Sequence, residues 1–502
     1  MSYEINYLNG YFKCGNEQQS KLKPYIDCLT AWLILSAWKI WMKRLNRELS
    51  GRVAKLRQLF GYLFLVGCII VCVAVCGRGI FRLVKPTFTW VGFSIITSIC
   101  IILNSIWTYP VSRPGLMNCD LTNEIKGWMQ ALIVAYHYLD GYDVLPIHIL
   151  MRIFVSTYIT LSGFGHFLFY WNKFSPEFFE ALSESSSPMH LVRTYGALLY
   201  RYAQVFLRTN FLNVALCLSL QQPYLLHYFV GLITYCYTMV AVTMTSWLAL
   251  AQLFVTISKS VNERSRIAAF IIALVVSTLF SAMLKTHKSL FKVIFFSKPL
   301  GWALQSVKGE WQARWSLDRY SSQFGLLCGF SFAQYKQRCK STDESSTKFK
   351  SNYLYKMGIG LSFGMSIGVI ALYICYFSIS MNHSTYAKLH PYLCYIPITA
   401  IIILRNVTNF GRNHASVFFS WLGAFALELF ILQYHLLLTR NMGKVFLVFT
   451  KNRIINAIII MPCFVMVSYW THLLTKKICD IILPPHDFFP KPPPKSYEVP
   501  SS

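Results

Sequence analysis

Apolar runs recur along the whole chain, near residues 59–77, 88–108, 144–171, 205–220, 224–256, 266–284, 317–335, 357–381, 391–409, 417–438 and 454–474. A bilayer core about 30 Å thick takes roughly 20 helical residues to cross. Within it, backbone polar groups must be satisfied inside the segment, which favours helices. The pattern predicts an all-α, polytopic transmembrane helix bundle of about 12 spans. Only 13% of the 502 residues are charged, against about 25% in soluble domains, which excludes a chain of soluble domains. Two segments read differently. Residues 28–43 are interrupted by Lys39 and suit an interfacial helix. Residues 127–139 are too short to cross alone and suit a re-entrant or broken helix.

The net charge of +27 arises from 47 Lys and Arg against 20 Asp and Glu. Basic cytosolic loops account for much of such an excess, and a basic mouth for a polyanionic ligand would account for the rest. No basic run forms a compact soluble domain, so nucleic acid is not an expected partner. Arg44, Arg47, Arg52, Lys55 and Arg57 before the 59–77 run, and Lys476 and Lys477 after the last, place both ends in the cytosol. Arg78, Arg82 and Lys85 oppose this for the first hairpin. Residues 1–27 are polar and lack a basic-then-apolar opening, so no cleavable signal peptide is expected. Fifteen cysteines show no CxxC or Cys/His metal spacing, so no metal is expected.

The division expected is a polar tail over 1–27, N-terminal membrane segments over 28–120, a multi-span core over 121–483 and a Pro-rich tail over 484–502. Within the core, 172–200 reads as a polar loop and 336–356 as a basic, Ser-rich loop. The sequon Asn382-His383-Ser384 suggests a luminal loop over 382–390, whereas Asn406-Val407-Thr408 falls in an apolar run.

Ionisable residues inside membrane spans cost at least ~2.5 kcal/mol each and are functional candidates by default. In "EWQARWSLDRY", a helix places Glu310, Arg314 and Asp318 at i, i+4 and i+8, a self-neutralising ladder. Arg319 points to the other side, beside Trp315, as a guanidinium able to fork onto phosphate or carboxylate. In "ALELFILQYHL", Glu428 and His435 share one face, an arrangement suited to acid–base work. His137 precedes a turn-forming Asp-Gly. Arg152 and His166 lie fourteen residues apart on one helix face, about 21 Å, toward opposite membrane sides. Arg201, Gln204 and Arg208 form a second basic stripe, and Arg405 with Arg412 a third if the helix continues. Acids are scarce, so a polyanionic ligand is the simplest counter-charge. No GxSxG, P-loop, HExxH or GDS…DxxH set occurs.

The stretches "GWMQALIVAYHYLDG", "RIFVSTYITLSGFGHFLFYW", "EWQARWSLDRY", "HPYLCYIPITAIIILRNVT" and "SWLGAFALELFILQYHLLL" occur in this order. Together they resemble the multi-span acyltransferase domain shared by fungal capsule-synthesis proteins, the animal sialate O-acetyltransferase and the plant reduced-wall-acetylation proteins. The resemblance covers roughly residues 121–483. It implies a Golgi-membrane protein that moves acetyl from cytosolic acetyl-CoA to sugar hydroxyls in the lumen. It also implies a member without the luminal SGNH hydrolase-like domain, as in the plant proteins, which work with separate luminal acetyltransferases. Carried onto this chain, it favours His137, Arg152, Arg208, Glu310, Arg314, Asp318, Arg319, Arg405, Glu428 and His435. His166 matches the animal pattern alone, and Gln323 stands where that pattern has His.

Together these readings give a membrane acyltransferase that uses acetyl-CoA as donor substrate and contacts lipid and a glycan acceptor or a luminal transferase. His435, oriented by Glu428, or His137 would be the base. Arg208, Arg314, Arg319, Arg405 and Arg152 would hold CoA phosphates or offset acceptor charge, with Glu310, Asp318 and His166 in support. The rivals are an acetyl-CoA or acetyl transporter, since broken helices and midplane charges also describe transporters, and a non-catalytic scaffold for a luminal enzyme.

Overall fold

Continuous runs of Leu, Ile, Phe and Val about 20 residues long satisfy their backbone in lipid within one segment as helices. The computed structural model describes residues 52–76, 81–111, 117–183, 188–258, 262–296, 308–340, 353–439 and 443–485. In chain order these carry α1 (Arg52–Cys76), β1 (Arg82–Val84), α2 (Trp90–Ile106), β2 (Thr108–Pro110), α3 (Cys119–Leu139), α4 (Leu145–Lys173), α5 (Ser175–Ser183) and α6 (Pro188–Leu220). There follow α7 (Tyr228–Ser258), α8 (Glu263–Thr286), α9 (Lys288–Phe296), α10 (Lys308–Leu317), α11 (Ser321–Lys340), α12 (Tyr353–Ser380), α13 (His383–Leu393) and α14 (Tyr395–Asn406). The last are α15 (Asn409–Asn413), β3 (His414–Ser416), α16 (Val417–Ala424), α17 (Ala426–Leu436), β4 (Val445–Leu447) and α18 (Arg453–Ile482). The strands form two short antiparallel pairs, β1 with β4 and β2 with β3.

The contacts divide the chain into two units: residues 1–80 with 470–484, and residues 81–469 with 485–502. The described part of the first holds α1 and the end of α18. The second holds every site discussed below.

Among the described residues, six helices are long and apolar enough to cross a membrane, or eight if each of two bent pairs is one span. The sequence count of about 12 also takes in the shorter apolar stretches Leu56–Val71 and Trp90–Ile106, together with α3 and α11. Residues 28–43 lie outside the described residues.

Several local expectations change. The stretch 127–139 is the second half of an unbroken 21-residue helix, α3. Its polar start is tolerated because Asn118 caps Leu121 N and because the buried Glu124 accepts from Arg405 and from Ser416 N. The run 417–438 is not straight: α16 and α17 meet at 73° about Phe425. The run 391–409 is also broken, by a 59° bend at Cys394 between α13 and α14. The helix carrying Arg405 ends at Asn406 and Thr408 caps a new short one, so Arg412 does not continue the Arg405 stripe. The supposed polar loop 172–200 is mostly helix, with Phe178 and Phe179 buried on α5. The supposed luminal loop 382–390 is the helix α13, capped by Asn382, with Tyr386 and His390 buried.

Two helix crossings set the interior. A Cβ on Gly127 of α3 would collide with the Phe419 carbonyl, and one on Gly423 of α16 with the Asn123 carbonyl. At the second crossing, Gly163 of α4 meets the Ser322 backbone and Gly325 of α11 meets the Thr160 carbonyl. Small residues let membrane helices approach backbone to backbone, where dispersion replaces the hydrophobic drive that lipid removes. The first crossing joins α3, which carries His137, to α16, and the second joins α4, which carries Arg152 and His166, to α11.

Candidate active site

A histidine pair lies at the inner end of the bent helix. The break at Phe425 turns α17 inward and puts His435, in its last turn, against His227. His227 closes the 3-10 turn Tyr224–His227 that Pro223 introduces ahead of α7. The two Nε2 atoms are 3.0 Å apart. Both rings are buried, at 0% and 7% exposure.

The surroundings fix the proton arrangement. Asn213 of α6 donates its Nδ2 to the Tyr224 carbonyl at 3.3 Å, which turns its Oδ1 toward His227 Nδ1 at 2.7 Å. An amide oxygen only accepts, so His227 Nδ1 carries the hydrogen and its Nε2 carries the lone pair. In the neutral pair His435 Nε2 is then the donor and His435 Nδ1 the basic nitrogen.

His137, in the last turn of α3, lies close by. Its ring is 6.0 Å from the Tyr434 ring, and Tyr434 is 5.6 Å from His227. Asp140 in the left-handed region ends α3 there, as its Asp-Gly pair predicts. Gln433 lies beside both His137 and Tyr434. His137 Nδ1, Gln433 Nε2 and Oε1, and Tyr434 Oη are all buried here and make no well-formed hydrogen bond, pairing only loosely with one another. Each such atom costs about 1–3 kcal/mol. A cluster of them marks a place where a ligand or ordered water completes the bonding. Arg314 adds positive charge, its guanidinium 4.2 Å from the centre of the Tyr228 ring.

A second buried polar network adjoins. Asp318 pairs with Arg152 and accepts from Ser156 Oγ at 2.5 Å. Ser156 Oγ also meets His390 Nε2 at 2.9 Å, and His390 Nδ1 meets Tyr386 Oη at 2.7 Å. Serine, histidine and aspartate are all present, but both the acid and the base face the serine. A nucleophilic triad needs the acid on the far nitrogen of the imidazole, which Tyr386 occupies. The set therefore neutralises Arg152 and joins α4, α13 and the turn after α10.

The Glu310–Arg314–Asp318 ladder does not extend as counted. The helix ends at Leu317, so Asp318 leaves the periodic face and takes Arg152 as its partner. The Glu310 side chain lies outside the described residues. Arg319 is 4% exposed, and its aromatic neighbours are Tyr320 and Tyr392 rather than Trp315. It donates to Ser316 O at 2.5 Å and to Tyr392 Oη at 2.8 Å.

The scarcity of acids proved a poor guide to arginine pairing. Arg208 pairs with Glu428 at 2.5 Å and Arg405 with Glu124 at 2.7 Å, beside the Arg152–Asp318 pair. Few acids are present, but burial makes each find a cation. Glu428 thus engages Arg208, while His435 has His227 beside it. Arg405 is held at Glu124, thirteen residues along α3 from His137, about 20 Å away. His166 packs on Tyr237, ring centres 4.5 Å apart, toward the far end of α4 from Arg152. Gln323 donates to Ser281 Oγ at 2.9 Å.

Sequence reasoning missed His227, Asn213, Gln433, Ser156, His390 and Glu124. Their signal was present as polar residues inside apolar runs. His227 and Asn213 fall near a Pro-containing span break, and Gln433 lies two residues before His435.

The family described as a ten-span acyltransferase domain found in Cas1p matches residues 37–183 and 187–489. An N-acetylneuraminate (7)9-O-acetyltransferase of Danio rerio is 29% identical over 412 residues, covering 82% of this chain and 49% of its own length. The chain thus spans about half the length of this relative. No solved structure matches.

Proposed function

The chain belongs to the ten-span acyltransferase family found in Cas1p, and from that premise we propose that it is an O-acetyltransferase of the secretory-pathway membrane. The donor is acetyl-CoA from the cytosol. The acceptor is a hydroxyl of a luminal glycan, reached directly or through a separate luminal transferase. The Golgi is the compartment this reading favours, because glycan acetylation belongs there. The sialate acetylation named for the Danio rerio relative supports the donor group and the acceptor class.

The observation that carries the reading is the Asn213–His227–His435 chain, whose tautomers leave the lone pair of His435 on Nδ1. In the proposed reaction the acceptor hydroxyl gives its proton to His435 Nδ1 as its oxygen attacks the thioester carbonyl carbon. The C–S bond of the resulting adduct breaks, and the CoA thiolate leaves with the proton that the imidazolium returns. The same imidazole serves as base in the first step and as acid in the second. His227 accepts from the His435 Nε2–H and spreads the charge, and Asn213 fixes its tautomer. Gln433, Tyr434 and His137 surround the carbonyl as polar partners. Arg314 is the arginine nearest to this group, so it is the phosphate or oxyanion ligand we favour. Arg319 is the second choice. Arg152, Arg208 and Arg405 act first through their carboxylates.

Purified protein with radiolabelled acetyl-CoA tests this. Transfer to a glycan hydroxyl, or CoA release, that is lost in His435→Ala supports the enzyme. A transporter reading draws on the buried polar groups between His166 and Asp318; proteoliposome uptake of acetyl-CoA without CoA release would overturn the transferase reading.

A further inference from the structure

Behind the turn that carries His227, α6, α7, α8 and α9 line a cavity of about 1170 Å³. Ordinary small-molecule sites hold roughly 300–1,000 Å³. Its wall on α7 runs from Gly231 to Leu253, about 33 Å of helix, close to the roughly 30 Å of a bilayer core. No Asp, Glu, Lys or Arg lines it. Its rim faces outward: Val242 and Leu253 are 52% exposed and Val276 59%. A groove of this length, apolar and open sideways along membrane-spanning helices, admits chains from the bilayer and not a hydrated nucleotide.

Two features select among chains. Trp311 Nε1 and Ser277 Oγ line the groove, belong to residues 3% and 6% exposed, and have no hydrogen-bond partner among the described residues. An indole N–H can only donate, so an occupant must bring an acceptor into the groove. Trp311 packs on Phe295, with ring centres 6.0 Å apart, which places it at the end formed by Leu284, Ile294 and Phe295. At that end Lys285, Lys288 and Lys292 are exposed. The segment from 285 to 309 contains no Asp or Glu. Such basic segments attract anionic lipid headgroups.

We propose that this groove is a binding site for an anionic glycerophospholipid. The phosphate sits among Lys285, Lys288 and Lys292, an ester carbonyl accepts from Trp311 Nε1, and the acyl chains lie along the α7–α8 wall. The ester is the discriminating group. It supplies a buried acceptor below the phosphate, which an isoprenoid phosphate with its hydrocarbon tail lacks.

The test uses the full chain purified in neutral detergent, with phosphatidylserine, phosphatidylcholine or a polyprenyl phosphate added. Native mass spectrometry reads retention and the thermal unfolding midpoint reads stabilisation. Phosphatidylserine should be retained at one molecule per chain and raise the midpoint by several degrees more than phosphatidylcholine. The combined Lys285→Gln, Lys288→Gln and Lys292→Gln change should abolish that difference, and Trp311→Phe, which keeps the ring and removes the donor, should reduce it. Val276→Trp, an exposed rim position, should block retention without altering the lipid-free midpoint. Equal effects of phosphatidylserine and phosphatidylcholine, tighter retention of polyprenyl phosphate, or wild-type retention by all three variants would overturn the proposal.

Discussion

His227 and His435, separated by 208 residues in sequence, meet Nε2 to Nε2 at 3.0 Å in the buried interior. Neither residue predicts the other from sequence. Their contact converts two isolated membrane histidines into a directed proton chain, because Asn213 determines which nitrogen of His227 is bare. Replacing His435 with Ala should lower acetyl transfer by about 10²–10⁴-fold, the usual worth of a positioned general base. Replacing His227 with Ala should give a smaller loss, mainly in kcat with little change in KM for acetyl-CoA. Steady-state CoA release by both variants checks this. Wild-type rates in His435→Ala would remove the residue from the mechanism.

The Arg152–Asp318 pair tests a structural role instead. Asp318→Asn leaves a buried guanidinium without its counter-charge, an effect of about 3–5 kcal/mol. The double change Arg152→Leu with Asp318→Leu removes both charges and should recover part of the loss. Thermal unfolding of each variant in detergent measures the difference. A double variant less stable than either single one would contradict the assignment.

The glycine crossings make a prediction with internal controls. Gly127→Ala and Gly325→Ala place a methyl group against backbone atoms that cannot swing aside. Each should cost about 1–3 kcal/mol, as overpacking does. Gly165→Ala and Gly196→Ala meet nothing within 4 Å and should be neutral or slightly stabilising, since Ala is the better helix former. Four melting curves decide the matter.

Asn382 gives a smaller and more local test. Its side chain accepts from Thr385 N at 3.0 Å and caps α13. Asn382→Ala should cost about 1 kcal/mol and Asn382→Asp far less, because Asp caps as well as Asn. Equal effects of the two substitutions, read by thermal unfolding, would argue against the cap.

The sequence by itself determined the class of the molecule. Only helices and closed barrels satisfy the backbone in lipid, and continuous apolar runs of about 20 residues, unlike the short alternating strands of a barrel, select the helix bundle. It also singled out residues that the fold then used, such as His435, His137, Arg314 and Arg152, because a polar group in an apolar run is costly wherever it lies. What periodicity could not supply was partnership. Counting i, i+4, i+8 assigned Asp318 to Arg314, but the helix stops at Leu317 and the carboxylate turns to Arg152. Counting acids left the arginines unmatched, yet Glu428 and Glu124 each found one across at least 220 residues. The breaks at Phe425 and Cys394 were equally invisible, since apolar residues continue through both. Helical spacing is local and repeats every turn, so it is written in neighbouring residues. Charge pairing, helix breaks and the His227–His435 contact depend on which backbones can approach, and the glycine crossings decide that only when distant helices pack.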